Sequence, residues 1–198
     1  MKITIVSGSH RAASQSIKVS TYIQRVLCES DVAADVVDLA GNPLPLWDDE
    51  VWAMSPRWQD LWAPIAGQLR ASEGFVFVVP EWAGMVPSGF KNFLLLCGNK
   101  ELGHKPALIV SISASGNGVY PVAELRMASA KNNHLVYIPD HVIVRNVKSV
   151  LNAEPCPEEQ GIRDRLDYSL QTLCGYARHL AQFRRSFNID YRKYGYGM

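Results

Sequence analysis

Between Gly8 and Ser16 the chain reads GSHRAASQS, and these residue types could do chemistry together. Ser9, Ser14 and Ser16 offer short hydroxyls, Arg11 a fixed cationic fork, and Gly8 a place where backbone can approach a ligand. A β-branched run, Lys2 to Gly8, leads in. Val19, Tyr22, Ile23, Val26 and Leu27 follow at the spacing of one helix face. A strand-to-helix loop directs unbonded N–H groups and the positive end of a helix dipole at one point, which makes an anion site. The plainer reading is a polar turn closed by a serine N-cap. The loop has no GK[ST], no GxGxxG and no cysteine beside its arginine, so three familiar phosphate chemistries are excluded. A terminal monophosphate held by hydroxyls, amides and one arginine remains.

Two further loops stand where such a site would continue. PEWAGMVPSGFKN, from Pro80, leaves the most apolar run of the chain, Gly74 to Pro80. Gly84 there allows close backbone approach, and Trp82 offers a wide aromatic face or, equally, a core tryptophan under a turn. SASGNG, Ser113 to Gly118, follows a second two-faced strand, ALIVSIS, and would let a flat ligand lie on exposed amides. The elements that must position these loops alternate. Val32 to Leu39 reads as a second strand. A helix capped by Ser55 would carry Trp58, Leu61, Trp62, Ile65 and Leu69, and another would open at Pro87 and run through Gly98. Ala123 to Asn133 reads as a helix, His134 to Val144 as a last strand entered by a turn at Pro139-Asp140, and a long helix starts at Glu158. Five strands alternating with five helices imply a doubly wound parallel α/β sheet, whose ligands sit at the carboxyl ends of the strands.

With these residues in view, the chain resembles the NADPH-dependent FMN reductase family over roughly residues 1 to 180. That family's first-loop pattern GSxRxxSxN is matched by Gly8, Ser9, Arg11, Ser14 and Ser16, and its PEYNGSIPGxLKN stretch by Pro80, Glu81, Gly84, Pro87, Lys91 and Asn92. The resemblance implies a flavodoxin-like sheet of order 2-1-3-4-5 with helices on both faces, in one domain over 1–186 followed by a tail, 187–198. It implies FMN as cofactor, its phosphate on Ser9, Arg11, Ser14, Gln15 and Ser16. The ring would lie between Pro80, Glu81, Trp82, Ala83 and Gly84 on one side and Ser113, Ser115, Gly116 and Asn117 on the other. NADPH or NADH would be the co-substrate and a quinone, free flavin or similar small molecule the acceptor. No catalytic side chain is required, since the flavin carries the hydride chemistry. Backbone amides of Glu81 to Gly84 and Ser115 to Gly118 would stabilise the reduced ring. The sequence departs from the pattern at Trp82 and Ala83, where Tyr and Asn are usual, and at Met85. Ala83 thereby lacks an amide that could bond the ring edge.

The rest of the composition narrows the class. The 198 residues are 47% hydrophobic, and 20 Lys+Arg face 19 Asp+Glu, a balance unlike that of a nucleic-acid binder. No stretch reads as a membrane span or a secretory signal, and four scattered cysteines read as buried small hydrophobes of a cytoplasmic protein. The five histidines show no ligand spacing, so no metal site is assigned, and His10 reads as a solvated loop residue. The run Phe90, Phe93, Leu94, Leu95, Leu96 exceeds what one sheet face needs and points to a homodimer or homotetramer. Four tryptophans between Trp47 and Trp62 read as packing, with a subunit interface as the lesser reading. The basic C-terminal end reads as a solvated helix end. Besides the enzyme, an electron carrier without nicotinamide turnover and a flavin-free interaction protein remain open.

Overall fold

The structure is a computed structural model that describes residues 1–154, 156–186, 190, 192 and 193. Its frame is one sheet of five parallel strands in the order β2-β1-β3-β4-β5. The strands are β1 Lys2–Ser7, β2 Ala33–Asp38, β3 Gly74–Pro80, β4 Pro106–Ile112 and β5 Val136–Val144. Alternation along β3 shows why the centre of the sheet is apolar throughout. Phe75, Phe77 and Val79 enter one core, with Trp58, Phe90 and Phe93. Val76 and Val78 enter the other, with Ile23, Leu166 and Leu170. Each fully buried aromatic or branched side chain contributes roughly 1.5–3 kcal/mol of apolar burial, so this double-faced strand anchors the layers.

Helix α1, Gln15–Glu29, covers one face with Val19, Tyr22, Ile23 and Leu27, and helix α8, Gln160–Ser186, covers it with Leu166, Leu170, Leu173 and Ala177. A 3-10 turn, Pro157–Glu159, precedes α8 where the sequence suggested unbroken helix. The opposite face carries α2 Glu50–Ala53, α3 Pro56–Leu61, α4 Ala63–Arg70, α5 Ser88–Leu96, α6 Asn99–Leu102 and α7 Tyr120–Met127. The described residues thus hold eight α-helices, not five, and prolines account for two of the differences. Pro64 at the second residue of α4 has no N–H to continue the preceding turn, so the helix expected from Ser55 breaks at Trp62 and leaves Leu61 exposed. Pro121 stands in the first turn of α7, which therefore begins before Ala123 and ends at Met127.

The expected turn at Pro139-Asp140 is instead part of β5. The register slips between Ala107 and Ile109, so the extra residues form a bulge on an edge strand, where proline is tolerated. Arg126 donates to the carbonyls of Ile138 and Asp140 there, at 2.9 and 2.8 Å. The apolar run on α5 is also corrected: Phe90, Phe93, Leu94 and Leu96 are buried within this chain, and Leu95 alone of the run is exposed, at 65%. Cys97 and Cys174 are buried as expected, whereas Cys28 is exposed. Arg184 is not simply solvated, because it donates to the His104 carbonyl at 2.9 Å. Most of the expected tail 187–198 lies outside the described residues. Among the described residues no helix is long and apolar enough to cross a membrane, and no group of His, Cys, Asp and Glu could hold a metal.

Candidate functional site

Parallel strands bring the three loops singled out above to one edge, because β1, β3 and β4 are neighbours and all end there. Gly8 turns off β1 tightly. Its N–H donates to the Val78 carbonyl at 2.8 Å, and a Cβ would come within 2.9 Å of the Phe90 ring. Ser9 is buried, and its hydroxyl accepts the Arg11 N–H at 3.2 Å, which bends the loop outward. Ala13 at φ +47° completes the turn into α1. Ser14 is the N-cap and accepts the Ile17 N–H at 3.2 Å, which leaves its O–H free to donate.

What this loop leaves unsatisfied defines its chemistry. The Ser16 hydroxyl is 1% exposed, and neither it nor the buried Gln15 Oε1 has a hydrogen-bond partner among the described residues. Also among the described residues, the amides of His10, Ala12, Ala13, Gln15 and Ser16 make no hydrogen bond, and the exposed Arg11 guanidinium meets no carboxylate. A buried hydroxyl without a partner costs about 1–3 kcal/mol, so a donor set of this kind suits an anion that supplies the missing acceptors. The cradle has the chemistry of a phosphate site.

The second loop is a miniature hairpin. Trp82 N–H donates to the Met85 carbonyl at 3.0 Å and Met85 N–H to the Trp82 carbonyl at 2.9 Å, closing a two-residue turn over Ala83 and Gly84. Both central residues are left-handed, at φ +49° and +71°. That is the type I′ turn, for which Asn-Gly is the preferred pair. The usual Asn at position 83 thus has a backbone reason, where the sequence suggested only a side-chain one. Trp82 is half-buried, and the His10 ring stands edge-on to it with centroids 4.5 Å apart. His10 is therefore not a solvated loop residue: Nδ1 is buried, and its ring couples the first loop to the second. Nothing in the sequence pairs His10 with a tryptophan so far along the chain.

The third loop, Ser113 to Gly118, is braced from both sides. Asn146 N–H donates to Ser115 and Val147 N–H to Ser113, at 3.1 and 3.0 Å, while Arg145 Nε donates to the Gly116 carbonyl at 2.6 Å. From β3, Glu81 Oε2 accepts the N–H of Gly118 at 2.8 Å and of Tyr120 at 3.3 Å. Gly118, at φ +109°, lies so close to Ile143 that a Cβ would come within 2.6 Å of it. The amides expected to face a ring are consequently fewer. Those of Glu81, Trp82, Ser115 and Gly118 are used internally, and those of Ala83, Gly84, Gly116 and Asn117 make no hydrogen bond among the described residues. Lys91 and Asn92 also brace. Lys91 pairs with Glu124, whose other oxygen accepts the Val86 N–H at 2.7 Å. Asn92 accepts the Trp47 N–H at 2.8 Å and donates to Pro45 at 2.7 Å, fixing the loop after β2.

A doubly wound sheet of order 2-1-3-4-5 with an anion cradle after β1 defines a flavodoxin-like protein. The family model described as NADPH-dependent FMN reductase matches residues 1–149, and the chain belongs to that family. It is 24% identical over 144 residues to an NADPH azoreductase of a Bacillus species, covering 73% of this chain and 76% of that protein. A quinone reductase of Pseudomonas putida is 29% identical over 121 residues, 59% of this chain and 62% of that one. In fold the chain is similar to FerB, a flavoenzyme NAD(P)H:(acceptor) oxidoreductase from Paracoccus denitrificans. The TM-score is 0.68 at 17% identity, over 91% of this chain and 97% of the other. The cofactor chemistry of the family is FMN with NAD(P)H as co-substrate. The cradle fits it, since its unsatisfied hydroxyl, amides and arginine match a terminal phosphate.

Proposed function

We propose that this chain is an FMN-dependent NAD(P)H oxidoreductase whose first loop holds the flavin phosphate. The observation that carries the reading is the partnerless Ser16 hydroxyl beside unbonded amides and an unpaired Arg11. Arg11 supplies charge, Ser16 and the amides supply hydrogen bonds, and Ser9 and Ser14 hold the loop itself in shape. Gln15, the remaining first-loop residue of the reading, offers its backbone N–H at the start of α1. The flavin, when bound, supplies hydride transfer between a reduced nicotinamide and an acceptor. Around it Pro80 ends the strand, Trp82 and Gly84 offer one wall, and the amides of Gly116 and Asn117 offer the opposite one. Ser113 and Ser115 shape that second wall through each other. The exposed Met85, Val119 and Tyr120 beside this mouth suit an aromatic acceptor such as a quinone, an azo compound or free flavin.

Charge-assisted hydrogen bonds contribute roughly 1.5–3 kcal/mol each. Arg11→Ala should therefore weaken FMN binding about tenfold to a hundredfold in a fluorescence titration. An unchanged dissociation constant would overturn the assignment. Bleaching of the FMN-loaded protein by NADPH or NADH without air separates an enzyme from an electron carrier.

We place subunit association where Leu95, the exposed residue of the α5 run, meets the segment from Trp47 to Met54. Trp47, Trp52, Met54 and Leu95 line a cavity of about 730 Å³, with Trp52 75% exposed, and Leu46, next to Trp47 in the chain, is 79% exposed. Surplus apolar surface of this size supports a homodimer or homotetramer. The free thiols, two of them buried, fit a reducing cytoplasm.

A further inference from the structure

Two carboxylates cross in opposite directions between the second loop and the segment that runs from the end of the third loop into α7. Glu81, at the end of β3, reaches forward to the N–H groups of Gly118 and Tyr120. Glu124, on α7, reaches back to the Val86 N–H and is itself held by Lys91. Glu81 thus joins the second loop to backbone at the end of the third, and Glu124 joins α7 to backbone of the second. The Glu81 carboxylate takes two N–H groups of the protein's own backbone, both on Oε2. Its grip falls at the end of the segment that carries the unbonded amides of Gly116 and Asn117. Arg145 and Asn146 fix the other side of that segment. The loop is thus held at both ends before anything binds.

Resting on the flavin reading above, we propose that Glu81 and Glu124 are positioning residues that preassemble the ring seat and touch no ligand themselves. Their carboxylates set the spacing between the Trp82–Met85 turn and the Gly116–Asn117 amides. The phosphate cradle lies on another loop, and among the described residues none of its hydrogen bonds runs to Glu81 or Glu124. Preorganisation of this kind raises affinity by removing the ordering cost that binding would otherwise carry.

The test compares FMN with riboflavin, which has the ring but no phosphate, on the full chain. Glu81→Ala should weaken both ligands by the same factor, about tenfold, leaving the ratio of the two dissociation constants at the parent value. Glu81→Gln keeps an oxygen that can accept both N–H groups and should return both constants to within about threefold of the parent. If Glu81→Ala fails to fold, Glu124→Ala, which frees the Val86 amide, carries the same expected pattern. Equal losses in Glu81→Gln and Glu81→Ala would make the charge itself a ligand contact and overturn the inference. So would a changed riboflavin-to-FMN ratio, or no loss in the alanine variants while the parent binds FMN. A parent that binds neither ligand would overturn the flavin reading as well, which keeps the two failures apart.

Discussion

The two-residue turn at Ala83-Gly84 gives the sharpest expectation, because its geometry demands what its sequence only half supplies. Ala83 sits at φ +49°, where an L residue other than Gly or Asn is crowded against its following carbonyl at a cost of about 1–2 kcal/mol. Glycine removes that crowding but gives up roughly 0.5–1 kcal/mol in unfolded-chain entropy relative to alanine. The difference leaves a net gain of about 0.5–1 kcal/mol for Ala83→Gly, and asparagine, which tolerates this conformation, should give a gain of the same order. For a domain of this size each kcal/mol moves the melting midpoint by about 2–4 °C, so both variants should melt about 1–4 °C above the parent, without ligand.

Ala71→Gly is the control. Ala71 is at φ −73°, an ordinary helical value, so glycine there should lower the midpoint. The same pair of variants decides why Asn is usual at position 83. If the reason is the turn, Asn and Gly raise FMN affinity alike and by less than about threefold. If an amide is needed on the ring edge, Asn alone raises it, by up to about tenfold for one hydrogen bond. The reasoning is refuted outright if Ala83→Gly melts below the parent, as the control does.

Three further outcomes follow from named contacts. Trp82 is half-buried beside the mouth, so FMN should quench its fluorescence; identical quenching and affinity in Trp82→Phe would remove it from the site. Trp52→Glu should shift light scattering toward the 22.0 kDa mass of one chain, and a parent already at that mass at micromolar concentration would refute the proposed interface. Burial holds the Lys105 ammonium down to about 8 from 10.5, although it donates to the Leu69 and Arg70 carbonyls. The folded state therefore binds fewer protons than the unfolded between these values, and the Lys105 contribution to stability rises with pH across that window and is flat below it. Denaturant unfolding of parent against Lys105→Met should show this difference growing by roughly 1–3 kcal/mol from pH 8 to 10.5, at about 1.4 kcal/mol per pH unit. A flat difference would refute it.

The parts legible in the sequence are those whose cause is local. Gly74 to Pro80 is apolar on both faces because helices cover both faces of β3, and that pattern needs only seven consecutive residues to be seen. The strand-loop-helix from Lys2 to Leu27 is equally local, and its serines, arginine and missing glycine fingerprints are enough to suggest a phosphate. Errors arise where one residue type supports two local structures. Pro139-Asp140 is a good turn pair, yet in an edge strand with Arg126 on its carbonyls it becomes a bulge. Pro64 and Pro121 are at home in a first turn, so they begin helices where periodicity alone runs through them or starts late.

What the sequence hid most completely is the bracing between loops, and the physical reason is distance along the chain. Glu81 and Gly118, Glu124 and Val86, Asn92 and Trp47, and His10 and Trp82 meet only because parallel crossovers return each strand end to one edge. No spacing rule links such pairs, because each crossover length is set by its helix and not by the contact. A glutamate in the motif after β3 therefore reads from sequence as a ligand residue, and its two backbone-amide partners are seen only in the structure. The same motif then divides in two. Trp82, Ala83 and Gly84 shape the surface a ligand would meet, while Glu81, Lys91 and Asn92 hold three loops in place. The match of Glu81, Lys91 and Asn92 to the family pattern says nothing of these contacts, which only the geometry shows.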